Sequence, residues 1–414
     1  MLYLAAVALV LFQTPDTPDA IAVRITTHIE ALLAKEQPEM YARHLRSVEG
    51  LCQAEVIRLR FSTRNKEQQT KDDVTYLKGI EDGLNDDGDK PETYLRDGLR
   101  ALTFARQSAV DDSLQYFNVG LPPHWDPAKQ YPLVVGLHGA GPKIPIAYVY
   151  FDFLPHGIND KPPREVITII PWGRGNRGWR DDGKSDLWEA VNEVKTFAKF
   201  DPDRWYITGH SMGGDGVWSI VNRTPDLWAA AGMQAGSTLS TPLELGLTPN
   251  CAYVPFYFWN GADDPLKERE PSCHAAYDLL EKLGDSDVKR VVSPGVGHSP
   301  RAEDGDAQMD WMLTHVRKRP SKFSFVLDTP RHRGVWGVTV PRAGRGFYAL
   351  PEPRAGFTCE IKDGKVTITA ENAKHLTVDL GPGGLQMAGN VELIVNGKSA
   401  YSGAVPSAPV SVDL

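Results

Sequence analysis

The spacing of hydrophobic positions changes twice along the chain. From Pro18 to about Arg106 apolar residues recur at helical intervals: Ile21, Ile25, Ile29 and Leu32, then Leu45, Val48 and Leu51, with Val56 and Leu59 beyond. Residues at this spacing share one face of a helix, so the run predicts helices joined through an apolar stripe. The tracts "NKEQQTKDD" and "NDDGDKPE" interrupt it, and Pro91 suits the first turn of a further helix. Nothing in this stretch carries chemistry, and it reads as a helical packing layer.

From Ser113 to about Arg319 short apolar runs take over. "LQYFNVGL", "PLVVGLHG", "VITIIPWG", "RWYITGH", "AAAGMQAG", "VPFYFWNG" and "VKRVVSPG" are rich in β-formers and apolar on both faces. Helical patterns lie between several of them. One is expected over Asp186–Phe200, with Asp186 and Glu189 in a capping-box-like spacing, and another over Ser272–Leu283. Buried strands alternating with helices predict a mostly parallel sheet covered on both sides, with ligand sites at the carboxyl ends of its strands.

From about Lys322 the helical period disappears. "KFSFVLD", "GVWGVTVP", "GFTCEIKDGKVTITA", "HLTVDLG" and "VELIVNGKSAYSG" alternate as strands, with hairpin signals in "KDGK" and "VNGK". They predict a β-sandwich-like module that serves either as packing or as a polymer-binding appendage. The expected organisation is a signal segment over 1–19, a helical extension over 20–106, an α/β catalytic domain over 107–319 and a β-rich module over 320–414.

Composition narrows the function classes. The 414 residues carry a net charge of −8 and contain no dense Lys/Arg run, which argues against a nucleic-acid partner. Cys52, Cys251, Cys273 and Cys359 lack the paired spacing of a zinc site. The apolar run Met1–Phe12 is too short to span a bilayer and has the length of a secretory signal's apolar part. It lacks the usual preceding basic residues. Export to the periplasm or the exterior is the reading adopted, with a cytoplasmic location as the alternative. In an exported chain Cys251 and Cys273 are candidates to pair.

The chemistry centres on "RWYITGHSMGGDGVW". Gly209-His210-Ser211-Met212-Gly213 fits G-x-S-x-G and falls between an expected strand and an expected helix. A turn that tight lifts the Ser211 hydroxyl clear of the backbone and aims the Met212 amide at the same space, where an oxyanion develops. A serine hydroxyl is a poor nucleophile without a base, and the base needs a carboxylate to orient it. Both follow in chain order on later strand ends: Asp263 and Asp264 in "VPFYFWNGADDPL", and His298 in "VKRVVSPGVGHSP". His274, His315, His332 and His375 lie in helical or β-rich segments and fit the role less well.

With these motifs the region from about Ala101 to Arg319 resembles the α/β-hydrolase superfamily. Within it the region resembles specifically the compact esterases related to dienelactone hydrolases, secreted feruloyl-type esterases and prolyl oligopeptidases. "YPLVVGLHGAG" is similar to the strand leading to the oxyanion loop, and "NGADDPL" and "GVGHSP" to the acid and base loops. The resemblance implies Ser211 as nucleophile, His298 as general base and Asp264 as acid, with Asp263 the alternative. It implies amides of Ala140 or Gly141 beside Met212 as oxyanion donors, with His138 bracing that loop. It also implies a covalent acyl-enzyme that needs no metal or organic cofactor. The "PWGRGNRGWRDDGKSDLW" segment follows a strand, so Trp172, Trp179 and Arg180 are candidates for a substrate wall, or for a loop held by aromatic packing. Trp188 and Trp218 are expected in the core.

The expected substrate is a small or polymer-linked carboxylic ester. The alternatives are a prolyl-oligopeptidase-like peptidase and a non-catalytic polymer- or surface-binding protein on a hydrolase scaffold.

Overall fold

The computed structural model describes residues 16–61, 66–85, 90–141, 164–238, 246–284, 287–329, 332–341 and 353–414. Most of the expected signal segment, residues 1–15, lies outside them. The chain forms two compact units, residues 1–201 and 202–414. The division falls inside the α/β region and at neither expected boundary: position 106 lies within a strand, and position 319 lies between a helix and a strand.

Among the described residues, the first unit has α1 (Pro18–Leu33), α2 (Glu39–Phe61) and α3 (Lys66–Asn85), followed by the short α4 (Pro91–Leu95). Thr17 caps α1 by accepting the Ala20 amide, and Pro18 supplies the preset first turn. Ile21, Ile25 and Ile29 of α1 and Leu45, Val48 and Leu51 of α2 are buried, as the spacing predicts.

The sheet of this unit comprises β1 (Leu102–Gln107), β2 (Leu114–Gly120), β3 (Gln130–Leu137) and β4 (Ile167–Pro171), in the order β1-β2-β4-β3. Here the expected helical stretch to Arg106 is corrected. Leu102–Gln107 is a strand, paired antiparallel with β2 residue by residue from Leu102–Val119 to Gln107–Leu114. Its edge is covered by α2, where His44 Nδ1 accepts the Thr103 amide at 2.7 Å and Ser47 Oγ accepts the Ala105 amide at 3.0 Å. Capping the free ladder groups in this way closes an edge that otherwise invites intermolecular pairing.

Helix α5 (Asp181–Val194) corrects a second expectation. Asp186 lies inside the helix, not at its cap, and is buried against Arg106 at 2.5 Å while accepting the Gly173 amide at 2.7 Å. Burial pushes its carboxyl up, against the opposing pull of Arg106 and that amide.

The second unit carries β5 (Lys199–His210), β6 (Ala230–Gln234), β7 (Phe256–Gly261) and β8 (Val288–Ser293), each parallel to the next. Helices α6 (Met212–Val221), α7 (Arg269–Leu283) and α8 (Ala302–Leu313) connect or follow them. Gln308 of α8 buttresses three strands at once, accepting from Thr208 Oγ1 at 2.9 Å and donating to the Met233 and Tyr257 carbonyls, both at 3.3 Å.

The remaining strands form the expected sandwich. Strands β9 (Lys322–Val326), β12 (Gly356–Lys362), β13 (Lys365–Glu371), β15 (Asn390–Val395) and β16 (Lys398–Ala404) make one sheet. Strands β10 (Gly334–Val335), β11 (Val338–Thr339), β14 (His375–Val378) and β17 (Val410–Asp413) make the other. Phe323, Phe357, Ile368, Val338 and Leu376 share one core between them. Both expected hairpins have two-residue turns with positive φ throughout: Asp363 and Gly364 at 50° and 77°, and Asn396 and Gly397 at 48° and 78°. Asn250 ties the hydrolase strands to this module, its Oδ1 accepting the Val326 amide at 2.7 Å.

All four cysteines are buried free thiols, so the candidate pairing of Cys251 with Cys273 is not formed. Cys251 Sγ lies 3.3 Å from Asn222 Oδ1, and Cys273 Sγ lies 3.2 Å from the Gly236 carbonyl. Among the described residues, no helix is long and apolar enough to cross a membrane.

Candidate active site

Ser211 sits between β5 and α6 with φ 55° and ψ −119°, a conformation that non-glycine residues rarely adopt. The strain is held from both sides. The Ser211 amide donates to the Gln234 carbonyl at 2.8 Å, and Asp215 in the first turn of α6 accepts the Ser237 amide at 2.6 Å. Arg269 locks the same carboxylate at 2.9 Å. Gly209 is required here because a Cβ would lie 2.4 Å from the backbone of Gly213. Two chain segments therefore cross at contact distance, and the hydroxyl projects from the corner.

The acid and base loops leave the ends of β7 and β8. Gly261 allows them to touch: a Cβ there would meet the Gly297 carbonyl oxygen at 2.0 Å. The Asp263 amide donates to the Val296 carbonyl at 2.9 Å, but its side chain points to solvent. Asp264 instead turns inward and is 3% exposed. Its Oδ1 accepts the Leu266 amide at 2.8 Å, and its Oδ2 faces His298 Nδ1 at 2.8 Å. His298 Nε2 then lies 2.8 Å from Ser211 Oγ, and Ser211 is 6% exposed.

A carboxylate only accepts, so the Nδ1 proton is directed to Asp264 and Nε2 is left to accept from the serine. Three side chains separated by 53 and 34 positions in sequence thus form one chain of hydrogen bonds. The first amides of a helix have no intrahelical acceptor, and Met212 opens α6 immediately beside the hydroxyl.

In the first unit the other implied residues divide. His138 Nε2 lies 2.7 Å from the Trp172 carbonyl and its Nδ1 lies 2.9 Å from the Gly139 carbonyl. Trp179 Nε1 donates to the His138 carbonyl at 3.0 Å. The Gly141 amide is engaged by Asn176 Oδ1 at 3.3 Å, whereas the Ala140 amide donates to nothing among the described residues.

Of the candidate wall, Trp179 is corrected to the packing role. It is 1% exposed, its ring set edge-on to His138 at 4.9 Å between centroids. Trp172 is half-buried and its amide donates to the Tyr116 carbonyl at 3.0 Å. Arg180 is exposed at the cap position of α5. Trp218 is fully buried, and Trp188 is only partly so.

Sequence reasoning missed Asp215, Arg269 and Gln308, which hold the elbow and strands in place, and His210, whose Nε2 reaches the His298 carbonyl. His210 was visible as the second residue of G-x-S-x-G; the other three gave no local signal.

The all-parallel β5–β8 set and the strained serine between strand and helix are the features of an α/β-hydrolase fold. Residues 172–249 match the family model described as the prolyl oligopeptidase family. The chain is 28% identical over 265 residues to an uncharacterized secreted protein of Arthroderma benhamiae, covering 51% of this chain and 27% of that protein. It is 25% identical over 209 residues to a probable feruloyl esterase C of Aspergillus terreus, covering 48% of this chain and 75% of that one. Among solved structures, S-formylglutathione hydrolase from Agrobacterium tumefaciens superposes with a TM-score of 0.42 at 17% identity, covering 52% of this chain and 95% of that chain. Over part of its length the chain is thus similar to the prolyl oligopeptidase family and to a probable feruloyl esterase.

Proposed function

We propose that this protein hydrolyses carboxylic esters through an acyl-enzyme on Ser211. The observation that carries the reading is the 2.8 Å approach of His298 Nε2 to Ser211 Oγ, with Asp264 at 2.8 Å behind it. His298 takes the serine proton as Oγ attacks the ester carbonyl, and returns it to the departing alcohol oxygen. Water then repeats the sequence on the acyl-serine, releasing the acid. Asp264 keeps the imidazole in the tautomer that accepts from serine and stabilises the imidazolium. The Met212 amide, the first of α6, is the donor proposed for the oxyanion, a contact of this type contributing about 3–4 kcal/mol in the transition state, and the resemblance adds Ala140 or Gly141 as the expected second donor. Ala140 is favoured over Gly141 because the Gly141 amide is already bound.

The prolyl oligopeptidase family match supports a second reading, a serine peptidase. Kinetics on paired substrates separates them. Short-chain p-nitrophenyl esters and methyl ferulate are expected to turn over with kcat/KM at least a hundredfold above a prolyl p-nitroanilide. Comparable values would favour the peptidase. The absence of turnover of any of these by folded protein would favour the binding scaffold. The apolar run Met1–Phe12 and the secreted relative support export. Periplasmic or culture-medium recovery of a tagged full-length chain tests it.

A further inference from the structure

A cavity of about 430 Å³ opens in the second unit at the end of the strands opposite Ser211. Ala229, Pro255 and Asp287 form part of its wall, and each immediately precedes or adjoins the start of β6, β7 or β8. Ser211, Asp264 and His298 follow the carboxyl ends of β5, β7 and β8. A strand of six residues such as β7 spans roughly 20 Å, so the cavity and the serine are separate sites.

The rest of the wall is unusual in charge and in surface. Arg317, Lys318 and Arg319 stand in succession after α8 and all line the cavity, against a single lining carboxylate, Asp287. Asp287 is occupied by His315 Nε2 at 3.2 Å. The Arg317 charge is also committed, with Nη2 at 2.8 Å from Asp203 Oδ1 and Nη1 donating to the Asp226 carbonyl at 2.6 Å.

Arg319 is different. Its Nη1 donates to the Pro320 carbonyl at 3.1 Å, but its buried Nε has no hydrogen-bond partner and no carboxylate pairs with it among the described residues. Burial pulls its pKa below the ordinary guanidinium value. Arg319 is half-buried, so its guanidinium keeps part of its hydration, and an anion that forks onto it supplies both a counter-charge and an acceptor for the buried Nε. Trp228, Tyr253 and Trp336 also line the cavity and make much of its wall apolar, with Arg317 set over the Trp336 ring at 5.0 Å.

We propose that this cavity binds a small organic carboxylate carrying a flat ring, its carboxylate on Arg319 and its ring along the aromatic wall. The volume lies in the range of small-molecule sites. Neither an inorganic anion nor a neutral hydrocarbon would satisfy both halves of the wall. A hydroxycinnamic acid meets both requirements, whereas a uronic acid brings the carboxylate on a puckered, hydroxylated ring and a phosphate brings the charge alone.

The test is titration calorimetry on full-length Ser211→Ala protein, so that binding is read without turnover, using 4-hydroxycinnamate, glucuronate and inorganic phosphate. 4-Hydroxycinnamate is expected to bind saturably at one site outside the Ser211 pocket and to weaken at least tenfold in Ser211→Ala/Arg319→Gln. Arg319→Lys, which keeps the charge but loses the fork, should also weaken it and covers the case of a glutamine variant that does not fold. Glucuronate or phosphate binding as tightly as 4-hydroxycinnamate, no saturable binding, or affinity unchanged in both Arg319 variants would overturn the proposal.

Discussion

His210 Nε2 lies 2.8 Å from the backbone carbonyl of His298, so the residue before the serine holds the loop that carries the imidazole. A carbonyl only accepts, so Nε2 is the protonated nitrogen. Desolvation pulls His210 below the ordinary histidine value, although the His298 carbonyl opposes the shift, and this favours the neutral ring. The two rings sit 4.9 Å apart between centroids. His210→Phe is expected to lower kcat about tenfold, the effect of about one net hydrogen bond, with little change in KM. His210→Gln, which restores a donor, should recover part of the loss. Steady-state kinetics on p-nitrophenyl acetate reads both, and equal rates for the two variants would show that the contact positions nothing.

The two neighbouring aspartates should behave very differently. Asp264 is buried with both oxygens engaged, and Asp263 is exposed. Asp264→Asn presents an amide N–H or a weaker acceptor to Nδ1 and disturbs the tautomer, so kcat should drop by about 10⁴. Asp263→Asn should stay within about twofold of the parent, on the scale of a surface change. Similar losses in the two variants would leave the orienting carboxylate unassigned.

Acid stability should depend on Asp328, whose Oδ2 pairs with Arg223 at 2.5 Å where the hydrolase strands meet the β module. Burial pushes the Asp328 carboxyl up, but hydrogen bonding to His332 and the Arg223 charge outweigh it and hold it well below the usual carboxylate range. A depressed carboxyl stabilises the fold above its ordinary value, about 3.9, and that contribution is lost as pH falls toward the folded-state value. Asp328→Ala leaves Arg223 buried without its partner and should cost about 3–5 kcal/mol at neutral pH. Urea unfolding at neutral pH measures the loss, and a cost below about 1 kcal/mol would contradict it.

His44 should add a second acid-sensitive element in the first unit. Desolvation lowers its pKa to about 3, and the ring is held neutral as acceptor of the Thr103 amide. The unfolded chain binds that proton near the ordinary value of about 6.5, so the unfolded state holds more protons through the interval. Stability present above about 6.5 is therefore lost as pH falls toward 3. His44→Asn keeps an acceptor but does not titrate. Its melting temperature is expected to be lower at pH 7 and to fall less steeply between pH 6.5 and 4, read by circular dichroism. A slope matching the parent would remove His44 from the account.

The parts of the fold legible in sequence are those governed by local rules. The strand before Ser211, the hairpin turns at Asp363-Gly364 and Asn396-Gly397, and the order of serine, aspartate and histidine are all written in neighbouring residues. Asp264 became distinguishable from Asp263 in geometry only once Gly261 was seen to press the two loops together.

What stayed hidden depends on distant partners. Leu102–Gln107 continues an apolar helical pattern, and only pairing with β2 makes it a strand. Asp186 resembles a cap until Arg106, 80 positions earlier, claims it inside the fold. Trp179 looks like a ligand platform in a Gly-rich loop, and its burial is decided by the His138 carbonyl.

The central claim is that Ser211 is a nucleophile activated by His298, and active-site labelling tests it most directly. A fluorophosphonate added to folded protein should produce one covalent adduct by intact mass, mapped to Ser211 by peptide sequencing. The adduct should be absent in Ser211→Ala and form at least a hundredfold more slowly in His298→Ala. Unlabelled Ser211 on natively folded protein, or labelling that does not depend on His298, would contradict the account.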